Sequence, residues 1–154
     1  MLSNDIPEVM EIERASFSSP WSEGMFRKEL LSPISYSLVA LIDDEMRSGE
    51  VAGYINFWIV ADEIHLNNVA VKKNMKRKGI ATSLLQAMFG TGRQADAPRA
   101  TLEVRVSNSA AIALYNKFKF VVKGIRPRYY NDTQEDALIM WADIVNDEQK
   151  NARC

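Results

Sequence analysis

"ATLEVRVSNSAAIALYNKF", Ala100 to Phe118, is the stretch that decides how this chain is read. Its first residues alternate, sending Leu102, Val104 and Val106 to one side and Thr101, Glu103 and Arg105 to the other, the period of a strand with one polar face. Ser107 and Asn108 then offer side-chain acceptors to the free N–H groups of a helix, and the run "SAAIALYNKF" follows. A strand that passes into a capped helix belongs to a sheet covered by helices.

Upstream lies "KKNMKRKGIATSLL", Lys72 to Leu85, with five cationic side chains within seven residues and a single glycine at Gly79. Ile80, Leu84, Leu85 and Met88 then mark an amphipathic helix, which Gly90 and Gly92 are expected to end or fray. Before that loop, "YSLVALI" (Tyr36 to Ile42), "VAGYINFWIV" (Val51 to Val60) and "EIHLNNVAV" (Glu63 to Val71) are rich in β-branched and aromatic residues and read as three consecutive antiparallel strands. Two short helices open the chain: one from Pro7 to Arg14, and one for which Ser19 reads as the N-cap and Pro20 as the first helical residue. The chain closes with strands "FVVKGI" and "DALIMWADI" around a Tyr-rich loop. The expectation is one domain over residues 1–154, with a polar tail from about 146. Its fold class is α/β (α+β), three layers with a central mixed sheet flanked by helices.

Charge is nearly balanced, 19 Lys+Arg against 20 Asp+Glu, so no global field draws the protein to nucleic acid or to a membrane, and an anion site must be local. The lone Cys154 excludes an internal disulfide and fits a reducing compartment, for which the cytosol is the default; on its polar tail it reads as inert. The N-terminal segment has acids where a signal peptide has a basic region, and no stretch reaches the ~20 apolar residues of a membrane span. One Cys and one His do not make the usual zinc site, so no metal is expected.

A glycine-bearing loop that enters a helix suits phosphate, because unpaired N–H groups and the helix dipole converge there. Neither G-x-x-x-x-G-K-[ST] nor G-x-G-x-x-G occurs. The alternatives for this loop are a solvated charge run and a nucleic-acid patch, the second opposed by the absence of interleaved aromatics. The remaining reading rests on K-R-K-G-I-A at 76–81, which resembles the [QR]-x-x-G-x-[GA] loop that grips the coenzyme A pyrophosphate in the GCN5-related N-acetyltransferase (GNAT) family.

That resemblance widens to "TLEVRVSNSAAIALYNKFKF" (Thr101 to Phe120), "RPRYYNDTQEDALIM" (Arg126 to Met140) and "FSSPWSEGMF" near the start, and covers roughly Pro7 to Ile144. Within GNAT the chain is similar to the bacterial ribosomal-protein-alanine N-acetyltransferases of the RimI type and their archaeal N-terminal-acetyltransferase relatives. The resemblance implies an acetyl-CoA-dependent transfer to the N-terminal amine of a ribosomal protein, the eighteenth of the small subunit, with alanine favoured. It implies further that Val69, Ala70 and Val71 hold the pantetheine arm and polarise the thioester. Arg77, Lys78, Gly79, Ile80, Ala81 and Thr82 would form the pyrophosphate loop, and Asn108 would also bind the coenzyme. Glu103 would be the general base, Tyr115 the general acid, and Trp21, Tyr129 and Tyr130 the border of the acceptor peptide.

From residue type alone the same positions read differently: Glu103 as a solvent-facing carboxylate, Tyr115 as a helix residue packed on the sheet, Asn108 as a cap, and the three aromatics as packing. His65 is a further candidate, as an auxiliary base. Three departures from the family pattern stand out. Lys76 replaces the usual Gln or Arg and loses the bidentate fork. Lys119 replaces a glycine, at a cost of ~1 kcal/mol if the backbone there is left-handed. The usual first strand is truncated or missing, which leaves the next strand as an edge. The rival functions are a broad-specificity N-terminal acetyltransferase, acetylation of a lysine or small amine, and a binding module without turnover. The sequence does not set the oligomeric state.

Overall fold

The computed structural model describes residues 1–44 and 47–144. The tail expected from about 146 and Cys154 lie outside the described residues. Elements run in the order α1 (Ile6–Ser16), α2 (Glu23–Leu31), β1 (Ser35–Asp44), β2 (Arg47–Val60), β3 (Glu63–Val71), α3 (Ile80–Gln94), β4 (Arg99–Arg105), α4 (Ser109–Lys117), β5 (Val121–Tyr130) and β6 (Glu135–Asp143). The strands form a six-stranded sheet in the order β1-β2-β3-β4-β6-β5. It is mixed: β1 with β2, β4 with β6 and β5 with β6 are antiparallel, whereas β3 and β4 are parallel. This is the α/β sheet that the strand–helix alternation predicts. No strand precedes α1 among the described residues, and β1 is an edge, where the Met1 ammonium donates to the Ser37 carbonyl (2.9 Å).

Two compact units interleave along the chain: Met1–Trp58 with Asn67–Met88, and Ile59–Leu66 with the described residues from Phe89 onward. In the first, α1 lays Ile6, Val9, Met10 and Ile12 against Phe26, Val51, Tyr54 and Ala70, all buried. Each buried Ile, Val, Met or Phe among them contributes ~1.5–3 kcal/mol of burial. Trp58 Nε1 donates to Glu29 Oε2 (2.7 Å) and ties α2 to β2. In the second unit Phe89 stacks on Phe118 and meets Phe120 edge-on, while Leu102, Val104 and Met140 fill the sheet side.

The structure corrects three local expectations. The cap of α2 is Ser22, whose Oγ accepts from Met25 N (3.3 Å), and Pro20 stays outside the helix. Trp21 N, which a helix starting at Pro20 would contain, instead donates to Glu13 Oε1. Helix α3 runs through both Gly90 and Gly92 to Gln94. At Gly92 a Cβ would stand 2.4 Å from Ile64 Cδ1 and 3.0 Å from Ile144 Cδ1, so close packing, not helix termination, selects glycine there. Finally, β5 continues through the Tyr-rich segment to Tyr130. It is an edge strand, with Val121, Val122 and Ile125 exposed and a register shift between Val122 and Gly124. Pro127, without an N–H, and Arg128, at φ 49°, fall in a second irregularity of its pairing with β6, between Arg126 and Tyr130. Lys119 has φ 65°, the left-handed value that makes a non-glycine residue costly there.

Candidate active site

In the first unit the end of β3 leads into the basic loop. Gly53 of β2 lets the backbone approach: a Cβ there would lie 2.8 Å from the Ala70 carbonyl oxygen, 3.2 Å from Ile80 Cγ2 and 3.3 Å from Val71 Cγ2. Lys72 N donates to the Ala52 carbonyl (2.8 Å), and Met75 is buried within a short 3-10 turn, Lys73–Met75. Arg77 at φ 64° and Gly79 at φ 80° then reverse the chain into α3, where Ser83 N and Oγ both donate to the Gly79 carbonyl.

Helix geometry leaves the first N–H groups of α3, around residues 79–82, without intrahelical acceptors, and no acid stands in the first turn. Of the five cations, Lys72 is committed to Glu50 (2.5 Å), and that hydrogen bond holds its ammonium above the ordinary lysine value. Lys73, Lys76, Arg77 and Lys78 are exposed, with no acidic partner among the described residues. Nothing lies within 4 Å of where a Gly79 Cβ would stand. An open, cationic, donor-rich turn of this kind fits a diphosphate. Trp21 is half-buried in this unit, its ring 5.3 Å from Phe26.

The second unit holds the titratable cluster. Glu103, on the half-buried face of β4 opposite Ile139 of β6, accepts from Arg126 Nε (2.9 Å) and from the Tyr129 hydroxyl, a bond that raises the phenol pKa. Arg126 also lies over the Tyr129 ring at 5.6 Å. Tyr129 meets Tyr130 edge-on at 5.1 Å. Arg105 covers Tyr130 at 3.8 Å, and its Nη2 donates to both carboxylate oxygens of Asp132. Burial pushes Tyr130 up to about 12, against the opposing pull of Arg105.

Tyr115, on α4, is buried with its ring 5.8 Å from Phe120. Burial first, and the neighbouring Tyr130 second, raise its pKa well above that of a free phenol. The Asn108 side chain caps α4 by accepting from Ala111 N (3.2 Å). His65 Nε2 lies 3.7 Å from Glu63 Oε2.

The second unit thus brings together Glu103, Tyr115, Tyr129 and Tyr130. Sequence reasoning passed over Arg126, the partner of Glu103, although it stands three residues before Tyr129 in the quoted "RPRYY". Two open clefts lie elsewhere: about 460 Å³ beside Glu63, Pro98 and Arg99, and about 540 Å³ beside Ile12, Ala15 and Lys73. Chemically, the second unit offers a carboxylate within reach of phenols that keep their protons, and the first a cradle for an anionic chain.

Comparison with known proteins gives these arrangements a context. The profile of the acetyltransferase (GNAT) family matches residues 6–120. A Bacillus subtilis (strain 168) protein, named as a candidate [ribosomal protein bS18]-alanine N-acetyltransferase, is 42% identical over 145 residues, 94% of this chain and 93% of its own length. The [ribosomal protein bS18]-alanine N-acetyltransferase of Escherichia coli (strain K12) is 33% identical over 141 residues, 90% of each chain. The crystal structure of the ribosomal-protein-S18-alanine N-acetyltransferase from Escherichia coli superposes with a TM-score of 0.82 at 31% identity, covering 95% of this chain and 92% of that one.

Proposed function

The chain belongs to the acetyltransferase (GNAT) family, and from that premise we propose that it moves an acetyl group from acetyl-CoA directly to the N-terminal amine of a ribosomal protein. The acceptor is the eighteenth protein of the small subunit, with alanine first, as in the names of its relatives. The observation that carries the reading is the presence in one compact unit of Glu103, an acceptor of hydrogen bonds, and Tyr115, a buried phenol that keeps its proton.

An α-amine with pKa near 8 needs only ~1.4 kcal/mol to shed its proton at pH 7, against ~4.6 for a lysine side chain. A modest base therefore suffices, and Glu103 takes that proton directly or through water. Arg126 and Tyr129 orient the carboxylate while leaving it lone pairs to spare. Acetyl-CoA, when bound, supplies the thioester that the amine attacks. The diphosphate of the coenzyme would rest on the N–H groups and cations of Arg77, Lys78, Gly79, Ile80, Ala81 and Thr82, with Asn108 as a further contact. Val69, Ala70 and Val71 would hold the pantetheine arm, and a backbone N–H there would face the thioester oxygen. Tyr115 returns a proton to the departing sulfur; its raised pKa keeps that proton in place at neutral pH. Trp21, Tyr129 and Tyr130 would border the acceptor peptide.

The test is incubation of the protein with acetyl-CoA and a panel of peptides, read by mass spectrometry. Acetylation of the α-amine of an alanine-first peptide is expected. Transfer confined to lysine side chains, or coenzyme binding with no thiol release on any peptide, would overturn the reading.

A further inference from the structure

Among the described residues, Glu13 and Tyr54 are buried titratable groups to which the mechanism above gives no task. Glu13 on α1 has 0% exposure, and an ionised carboxylate is costly to bury unless its oxygens are fully bonded. Here they are. Oε1 accepts from Trp21 N (2.8 Å) and Asn68 Nδ2 (3.3 Å), and Oε2 accepts from the Tyr54 hydroxyl. Burial first, and Glu13 second, drive the Tyr54 pKa up, so this phenol stays a donor. The Tyr54 ring meets Phe26 edge-on at 5.5 Å, and Phe26 meets the Trp21 ring at 5.3 Å. The contacts close a circuit: Glu13 to the Trp21 backbone, the Trp21 ring to Phe26, Phe26 to Tyr54, and Tyr54 back to Glu13. Asn68 adds the residue of β3 that immediately precedes Val69.

An apolar side chain of similar volume would fill this space at least as favourably as a carboxylate. What a carboxylate adds is two acceptor oxygens aimed at different elements, the loop after α1 and the strand β3. We propose that Glu13 is a positioning residue for the acetyl transfer, fixing the Trp21 loop against the end of β3 and thereby setting the affinity for the acceptor peptide. The inference rests on the reading that this loop borders the acceptor and that Val69 to Val71 hold the thioester.

Glu13→Gln is the decisive variant. It keeps one acceptor oxygen, and its amide turns donors toward Tyr54 and Asn68. The expected result is an acceptor KM raised about tenfold, kcat within threefold, and acetyl-CoA Kd within twofold of wild type, all at an unchanged far-ultraviolet spectrum. Tyr54→Phe should move KM in the same direction by less. Unchanged KM, or KM, kcat and coenzyme Kd moving together, would overturn the proposal. Hydrogen exchange at the Trp21 amide separates this inference from the reading beneath it. Glu13→Met, which keeps the volume but removes the acceptor of the Trp21 amide, should speed that exchange at least tenfold even if wild type turns over no peptide, and equal exchange rates would refute the positioning role.

Discussion

Glu103→Gln separates chemistry from architecture. The carboxylate is about one-quarter exposed and its partner Arg126 more than half exposed (side-chain values 26% and 57%), so their 2.9 Å ion pair sits in the range where double-mutant cycles give ~0.2–1 kcal/mol. The amide keeps an acceptor oxygen for Arg126 Nε and for the Tyr129 hydroxyl, and the unfolding midpoint should fall by no more than about 2–4 °C. Catalysis should respond on another scale. Loss of a positioned general base costs about 10²–10⁴ in rate, or ~2.7–5.5 kcal/mol on the barrier. Part of that loss is the ~1.4 kcal/mol needed to free an α-amine at pH 7, and this part vanishes once the pH exceeds the amine pKa. The variant should therefore show kcat reduced at least about 100-fold at pH 7, with the deficit shrinking roughly tenfold by pH 9 and acetyl-CoA Kd unchanged. Thiol release, calorimetric titration of the coenzyme and thermal unfolding measure the three quantities. A kcat within threefold of wild type at pH 7, or a coenzyme Kd that shifts as far as kcat, would refute the reasoning.

Three further outcomes follow from the same geometry. Replacing Arg77 and Lys78 together by alanine should raise acetyl-CoA Kd about tenfold or more, most steeply at low ionic strength, with kcat at saturation within threefold; calorimetry at two salt concentrations checks it. Gly53→Ala drives a methyl to 2.8 Å from the Ala70 carbonyl, a backbone atom with little room to yield, and should destabilise by ~1–3 kcal/mol, read as a lower unfolding midpoint. Tyr54, Tyr115 and Tyr130 all have folded pKa values above the free phenol value near 10, so above pH 10 the unfolded chain releases protons that the folded protein keeps. Stability present below pH 10 should then decline as the pH rises toward 12, and a flat urea midpoint across that window would contradict the assigned environments.

The sequence was most legible where one periodic signal decided the matter. Clean alternation from Leu102 to Val104 places Glu103 on the half-buried side of β4, and the Asn108 cap follows from residue type alone. Legibility failed where distant contacts outweighed local preference. Gly92 has a breaker's composition, yet Ile64, twenty-eight positions earlier, makes it a packing residue inside α3. Ser19 and Pro20 read locally as the start of α2, whereas Glu13 captures the Trp21 amide and the cap is Ser22. Arg126 becomes a partner of Glu103 only through the shifted register of β5 on β6, which no composition encodes. Glu13 looks like one more surface acid on an amphipathic helix, because Tyr54 and Asn68, which bury it, lie 41 and 55 residues away.

The proline and the left-handed arginine near the end of β5 bear on how the protein behaves in crowded solution. A fibril grows when each added strand offers the next an unbroken row of amide donors and carbonyls. Pro127 removes a donor from that row and Arg128 turns the backbone out of line, so a strand added there could not pass on a complete template. Replacing Pro127 with threonine would return the missing donor, and the aggregation lag time at high concentration would register the difference.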